Sequence, residues 1–204
     1  MKTIGLIGGM SWESSHVYYR IINETVQQRL GGNHSCRSLL YTVDFDPIVS
    51  LMHEDKWDEI EQQLVSISQT LEKGGAELLV ICTNTMHSLA DSIERNVSIP
   101  LHHIADATAG AISEKEIKKV GLLGTRFTME KEFYRKRLYE KHGIDVLVPE
   151  RVDREHVHKI IFDELIHGTT TEASRRVYIE IIQKLIDRGA EGVILGCTEI
   201  PLLI

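Results

Sequence analysis

Gly75-Ala76-Glu77-Leu78-Leu79-Val80-Ile81-Cys82-Thr83 and Gly189-Ala190-Glu191-Gly192-Val193-Ile194-Leu195-Gly196-Cys197-Thr198 are two versions of one phrase. Each is a short apolar run closed by a thiol and a hydroxyl. The two cysteines lie 115 residues apart. A second pair repeats at nearly the same distance: Thr3-Ile4-Gly5-Leu6-Ile7-Gly8-Gly9 and Lys119-Val120-Gly121-Leu122-Leu123-Gly124-Thr125, with Gly5 and Gly121 offset by 116. Duplicating both a strand-turn and a strand-Cys-Thr predicts two copies of one half-domain. Facing each other, such copies would set two thiols on opposite sides of one cleft. That suits a reaction needing an acid on one face of a carbon and a base on the other.

Around these motifs the chain alternates strand-like and helix-like segments. Strands are predicted at 4–7, 38–45, 77–81, 99–104, 120–123, 144–148 and 192–195. Helices are predicted at 12–30, 56–73, 86–95, 105–116, 128–142, 155–167 and 171–188. Ser11 is placed to cap the first helix and Gly31-Gly32 to stop it. Tyr18, Ile21, Ile22, Thr25 and Val26 form its apolar stripe, and Ile60, Leu64, Ile67 and Leu71 that of the second. The expected fold class is α/β, with two pseudo-symmetric lobes, each a parallel sheet flanked by helices, and the active site in the cleft between them. The first lobe covers residues 1–100 and the second 101–204, with the boundary within 99–106. After Cys82-Thr83 the first half continues into a helix and a strand. After Cys197-Thr198 only Glu199-Ile200-Pro201-Leu202-Leu203-Ile204 follows. Either the first lobe is completed by a further C-terminal segment, or the second closes differently.

Composition bounds the function. The 204 residues are 42% apolar and 26% charged, values of an ordinary globular protein, with a net charge of −7. That charge argues against sequence-independent nucleic-acid binding and against attachment to anionic membranes. No segment nears the ~18 apolar residues of a membrane span. The opening Met1 to Met10 is too short and glycine-broken for a signal peptide and reads as a strand and turn. Three widely spaced cysteines, Cys36, Cys82 and Cys197, do not make a disulfide framework and fit a reducing cytoplasm.

Ligands of open parallel sheets bind beyond the carboxyl ends of the strands. Four such ends carry chemistry: Gly8-Gly9-Met10-Ser11, Cys82-Thr83-Asn84-Thr85, Gly124-Thr125 and Cys197-Thr198-Glu199. Three run directly into predicted helices, whose free N–H groups suit an anion such as a carboxylate. Thr83, Asn84, Thr85 and Thr198 add neutral donors. The same helix starts are expected to depress the thiol pKa values, leaving one thiolate and one thiol at neutral pH. Buried cysteine at a strand end also serves simply as a small apolar side chain. Recurrence of Cys-Thr in both halves favours catalysis for Cys82 and Cys197, and Cys36 lacks that context. Gly5-Leu6-Ile7-Gly8-Gly9 is not a dinucleotide fingerprint. The ten histidines show no zinc spacing and read as solvated or core residues. The charged run at 130–137 reads as an exposed helix face, and Trp12 and Trp57 as packing residues.

Gly-Leu-Ile-Gly-Gly-Met-Ser-Trp-Glu-Ser at 5–14, Cys-Thr-Asn-Thr-Met-His at 82–87, His-Ile-Ala-Asp-Ala-Thr at 103–108, Leu-Gly-Thr-Arg-Phe-Thr-Met at 123–129 and Leu-Gly-Cys-Thr-Glu-Ile at 195–200 resemble the aspartate/glutamate racemases over essentially the whole chain. The resemblance is to the bacterial broad-specificity branch. It implies two-base racemisation of an acidic amino acid without pyridoxal phosphate or metal, with Cys82 and Cys197 as the acid/bases and a homodimer as the assembly. It places Met10, Thr83, Asn84, Thr85, Thr125, Thr198 and Glu199 around the substrate. The peptidoglycan-linked glutamate racemases carry Asp-Ser-Gly at the first turn and Cys-Thr-His at the second cysteine, where this chain has Gly-Gly-Met and Cys-Thr-Glu. A loop after Phe45, which in relatives supplies a polar substrate contact, carries Leu51-Met52-His53 here. Hydantoin racemases, maleate isomerases and arylmalonate-type decarboxylases share the architecture, and a non-catalytic binder of acidic amino acids is the remaining alternative.

Overall fold

The computed structural model describes residues 1–204 and divides into two units, Met1–His103 and Ile104–Ile204. The first runs β1 (Ile4–Gly8), α1 (Trp12–Leu30), β2 (Ser38–Thr42), α2 (Phe45–His53), α3 (Trp57–Lys73), β3 (Leu78–Ile81), a 3₁₀ turn (Thr85–Leu89) and α4 (Ala90–Asn96). Its sheet has the order β2-β1-β3, all parallel, with Ile7 opposite both Tyr41 and Ile81. The second runs α5 (Ile104–Ser113), β4 (Lys119–Gly124), α6 (Arg126–Glu130), α7 (Glu132–His142), β5 (Asp145–Leu147), α8 (Arg151–Asp163), a 3₁₀ turn (Leu165–His167), α9 (Glu172–Asp187), β6 (Gly192–Gly196) and a last 3₁₀ turn (Ile200–Leu202). Its sheet has the order β5-β4-β6, again parallel, with Gly124 opposite Gly196.

The sequence repeat is a repeat of hydrogen bonds. α3 ends by Gly75 N–H donating to Glu72 O and Ala76 N–H to Leu71 O. α9 ends by Gly189 N–H donating to Ile186 O and Ala190 N–H to Leu185 O. Gly75 and Gly189 take φ of 97° and 94°, where a side chain would be strained, and so turn each helix into the next strand. The following glutamates then bind the neighbouring strand reciprocally. Glu77 N–H donates to Thr3 O at 2.8 Å and its Oε2 accepts from Thr3 N–H at 2.8 Å. Glu191 N–H donates to Lys119 O at 2.9 Å and its Oε1 accepts from Lys119 N–H at 3.0 Å.

The central strands are buried on both faces, as their unbroken apolar runs require. Gly5 and Gly121 admit a helix to one face. A Cβ on Gly5 would lie 2.9 Å from Ala76 Cβ and 3.3 Å from Leu71 Cβ; one on Gly121 would lie 2.8 Å from Leu185 Cδ1. Ile60, Leu64, Ile67 and Leu71 are buried from α3, as their spacing predicts.

Several local readings need correction. α1 fully buries only Ser14 and Ser15; of its expected apolar stripe Tyr18, Ile22, Thr25 and Val26 are partly buried, and Ile21 is exposed. Ser11 occupies the N-cap of α1 without a side-chain cap bond. The segment at Asp46-Pro47, read as the start of a loop or a short helix, is the short helix α2, and Met52 is buried in it. The strand expected at 99–104 is reduced to a bridge between Leu79 and Leu101. The helix expected at 128–142 is broken at Lys131, whose extended backbone caps α7.

Gly121 and Gly196 offer a direct contrast in tolerance. A Cβ on Gly196 would sit 2.8 Å from the backbone oxygen of Leu123, which cannot move aside, whereas that on Gly121 meets the far end of the Leu185 side chain, which can shift by rotation. Gly196→Ala should cost about 2–3 kcal/mol and Gly121→Ala about 1 kcal/mol or less, measured as shifts in urea unfolding midpoint at unchanged slope.

Candidate active site

In the first unit, parallel pairing of β1 with β3 brings their carboxyl ends to one edge of the sheet. Cys82 N–H donates to Ile7 O at 2.9 Å, so Cys82 stands beside the turn that leaves β1. That turn is shaped by Gly9, whose φ is 94° and whose Cβ would lie 2.3 Å from Val43 O. Gly9 N–H donates to Ser15 Oγ at 2.8 Å, and the Ser15 hydroxyl donates to Ser11 O at 3.2 Å. Ser15 was not singled out by the sequence; its place one turn into α1 was the available signal. Met10, Asn84 and Thr85 are buried at this edge, and Thr83 is half-buried.

In the second unit, pairing of Gly124 with Gly196 sets Thr125 beside Cys197. Thr125 is the N-cap of α6, its Oγ1 accepting from Thr128 N–H at 3.2 Å. Cys197 Sγ donates to Glu199 Oε2 at 2.9 Å, and Thr198 Oγ1 donates to the same oxygen at 2.8 Å. Glu199 is itself buried. The carboxylate expected to face substrate is thus engaged with the thiol. The fold gathers Met10, Cys82, Thr83, Asn84 and Thr85 at one strand edge, and Thr125, Cys197, Thr198 and Glu199 at another.

The expectation of a depressed thiol pKa is overturned. Burial pushes the Cys82 thiol up to about 12. Cys197 is raised well above its ordinary value, first by burial and then by the charge and hydrogen bond of Glu199; the N–H groups of Glu199 and Thr198 oppose this only in part. The reason is local. Neither cysteine opens directly into an α-helix: a 3₁₀ turn over Thr85–Leu89 separates Cys82 from α4, and another, Ile200–Leu202, follows Cys197. Such short turns lack the aligned dipoles that stabilise a thiolate. Cys36 is partly buried, and burial raises its thiol pKa as well.

The family model for Asp/Glu/hydantoin racemases matches residues 7–204. The chain belongs to that family. Among solved structures, a Yersinia pestis protein assigned as an Asp/Glu racemase is 52% identical, with a TM-score of 0.93 over 100% of this chain and 89% of that one. An aspartate racemase homologue from Pyrococcus horikoshii is 35% identical, with a TM-score of 0.80 over 100% and 88%. A broad-specificity amino-acid racemase of Bacillus subtilis is 25% identical over 207 residues, 97% of this chain and 85% of that protein. The match to the glutamate racemase of Exiguobacterium sibiricum is 28% identical over 150 residues, 72% of this chain and 53% of that protein. The chain spans about half the length of such curated glutamate racemases. The family's α/β architecture, two parallel sheets flanked by helices, is the fold found here. No helix is long and apolar enough to cross a membrane.

Raised thiols make a measurable signature. With the Cys82 pKa near 12, its alkylation by iodoacetamide in the folded protein should climb about tenfold per pH unit from pH 7 to 9 without a plateau. Stability should move the other way. Unfolding drops the Cys82 pKa from about 12 toward 9.0, so the stabilisation held below pH 9 is lost as pH rises through that window. Cys82→Ala should remove its share of that alkaline loss, read by urea unfolding at pH 8, 9 and 10.

Proposed function

We propose that this protein racemises an acidic amino acid, aspartate or glutamate, without pyridoxal phosphate, using Cys82 and Cys197 as paired acid/bases. The observation that carries the reading is the matched setting of the two thiols. Each ends a strand that pairs in parallel with the glycine-bearing first strand of its unit, and each is held protonated by its surroundings. Family membership supplies the context.

Two protonated thiols need a base before they can act. Glu199, 2.9 Å from Cys197 Sγ, is that base. Cys197 passes its proton to Glu199, and the thiolate then takes the proton from Cα, leaving a carbanion. The Cys82 thiol delivers its own proton to the opposite face, becoming a thiolate. Cys197 and Glu199 share one negative charge until the Cα proton is taken, which lowers the cost of the buried thiolate. The charge then passes to the carbanion and on to the Cys82 thiolate, and the cycle resets when Glu199 releases its proton to solvent and Cys82 takes one up. Thr83, Asn84 and Thr85 hold the substrate carboxylate and stabilise the charge that grows on it, and Met10 and Thr125 line the site. The scheme requires both thiols to flank one carbon. It includes a reducing cytoplasmic setting, supported by three unpaired cysteines, and a homodimeric state.

Racemisation of L-aspartate and L-glutamate, followed by circular dichroism without added cofactor, tests the reading. Cys82→Ser and Cys197→Ser should each lower kcat by roughly 10³-fold or more, since loss of either acid/base stops the cycle. Glu199→Gln should lower it by about 10²-fold while leaving KM nearly unchanged. Full activity in either serine variant, or activity confined to hydantoins in a substrate panel, contradicts it.

A further inference from the structure

His87 is fully packed, 2% exposed, one turn beyond Cys82. Its Nδ1 lies 2.8 Å from Thr83 O, and its own backbone N–H donates to Asn84 O at 3.1 Å. A carbonyl only accepts, so Nδ1 carries the proton in this bond. The ring stands against the ring of His103, with centroids 4.6 Å apart and planes inclined by 60°. His103 is also buried, and it is tied to the cysteine strand because the adjacent His102 N–H donates to Leu79 O at 2.8 Å. His87 is therefore braced on one side and bonded on the other.

The consequence lies in the peptide between Thr83 and Asn84. A trans peptide is planar, and its C=O and N–H point in opposite directions. Holding the Thr83 carbonyl toward His87 turns the Asn84 N–H away from it. We infer that His87 is a positioning residue of the proposed racemase. Its Nδ1–H fixes the Thr83–Asn84 peptide so that the Asn84 N–H is presented as a donor to the substrate carboxylate. His87 itself touches no substrate. The inference rests on the racemase reading and adds a residue to it.

Paired amide variants test this, because asparagine and glutamine place their N–H₂ groups differently. His87→Asn carries a donor where Nδ1 stands; His87→Gln carries it where Nε2 stands; His87→Leu carries none. His87→Asn should keep kcat within about threefold of the parent, while His87→Gln and His87→Leu should fall by roughly 100-fold, with KM changed far less. Thermal unfolding of all three accompanies the assay. Equal loss in the folded Asn and Gln variants, or equal activity in them, overturns the inference. A readout independent of turnover is long-range ¹H–¹⁵N correlation of the histidines in the parent protein. The inference requires a proton on His87 Nδ1 and a shift of the Asn84 amide resonance on adding L-aspartate. Absence of either overturns it even if the variants do not fold. A protein that shows both but turns over no acidic amino acid would sink the racemase reading and leave His87 as the organiser of a binding site.

Discussion

Glu77 and Glu191 each reach from the start of a cysteine-bearing strand to the first residues of the strand beside it, giving and receiving a backbone hydrogen bond there. These reciprocal pairs fix strand register. A slip of one residue would send every side chain of β3 or β6 to the other face, and would carry Cys82 away from the Gly8-Gly9 turn and Cys197 away from Thr125. The positions of both thiols follow from this constraint. So does the demand for glycine two residues before each glutamate, since only a residue at ease with positive φ turns α3 into β3 and α9 into β6 so tightly.

Burial sets the chemistry that such placement allows. A thiol at the mouth of a long helix is an anion waiting for a proton. A thiol packed at a strand end beside a carboxylate, as Cys197 is, holds its proton until the carboxylate takes it. The two units differ here. Cys197 has a partner of its own, while Cys82 is raised by burial alone. The proposed cycle uses that difference: the Cys197–Glu199 pair opens by abstraction, and Cys82 answers by donation.

Much of the fold was legible because its signals are local. Apolar runs bounded by glycine predicted β1, β3, β4 and β6, and the 60-64-67-71 spacing predicted the buried face of α3. The repeat at about 115 residues predicted two like sheets. What escaped the sequence depended on partners distant in the chain or on short-range backbone choice. The stripe of α1 is a genuine helical pattern, yet burial is decided by what packs on it. The turn after Cys82 has a composition that fits either a helix or a 3₁₀ turn. The thiol pKa direction followed from that choice and from burial, neither of which spacing reveals. Glu199 was expected from the resemblance to lie near the substrate, but its bond to Cys197 appears only in three dimensions. The bond from His87 to Thr83 O was hidden in the same way, since a histidine four residues beyond Thr83 reads equally well as core.

The central claim is that two separate groups act on one carbon, one removing a proton and the other returning a different one. The most direct measurement is the isotopic content of both enantiomers at early conversion of protiated L-aspartate in D₂O, read by mass spectrometry after chiral separation. The account predicts that D-aspartate carries deuterium at Cα from the first turnovers while residual L-aspartate remains protiated. Deuterium appearing equally fast in residual L-aspartate and in product, the mark of one base exchanging with solvent, would contradict it.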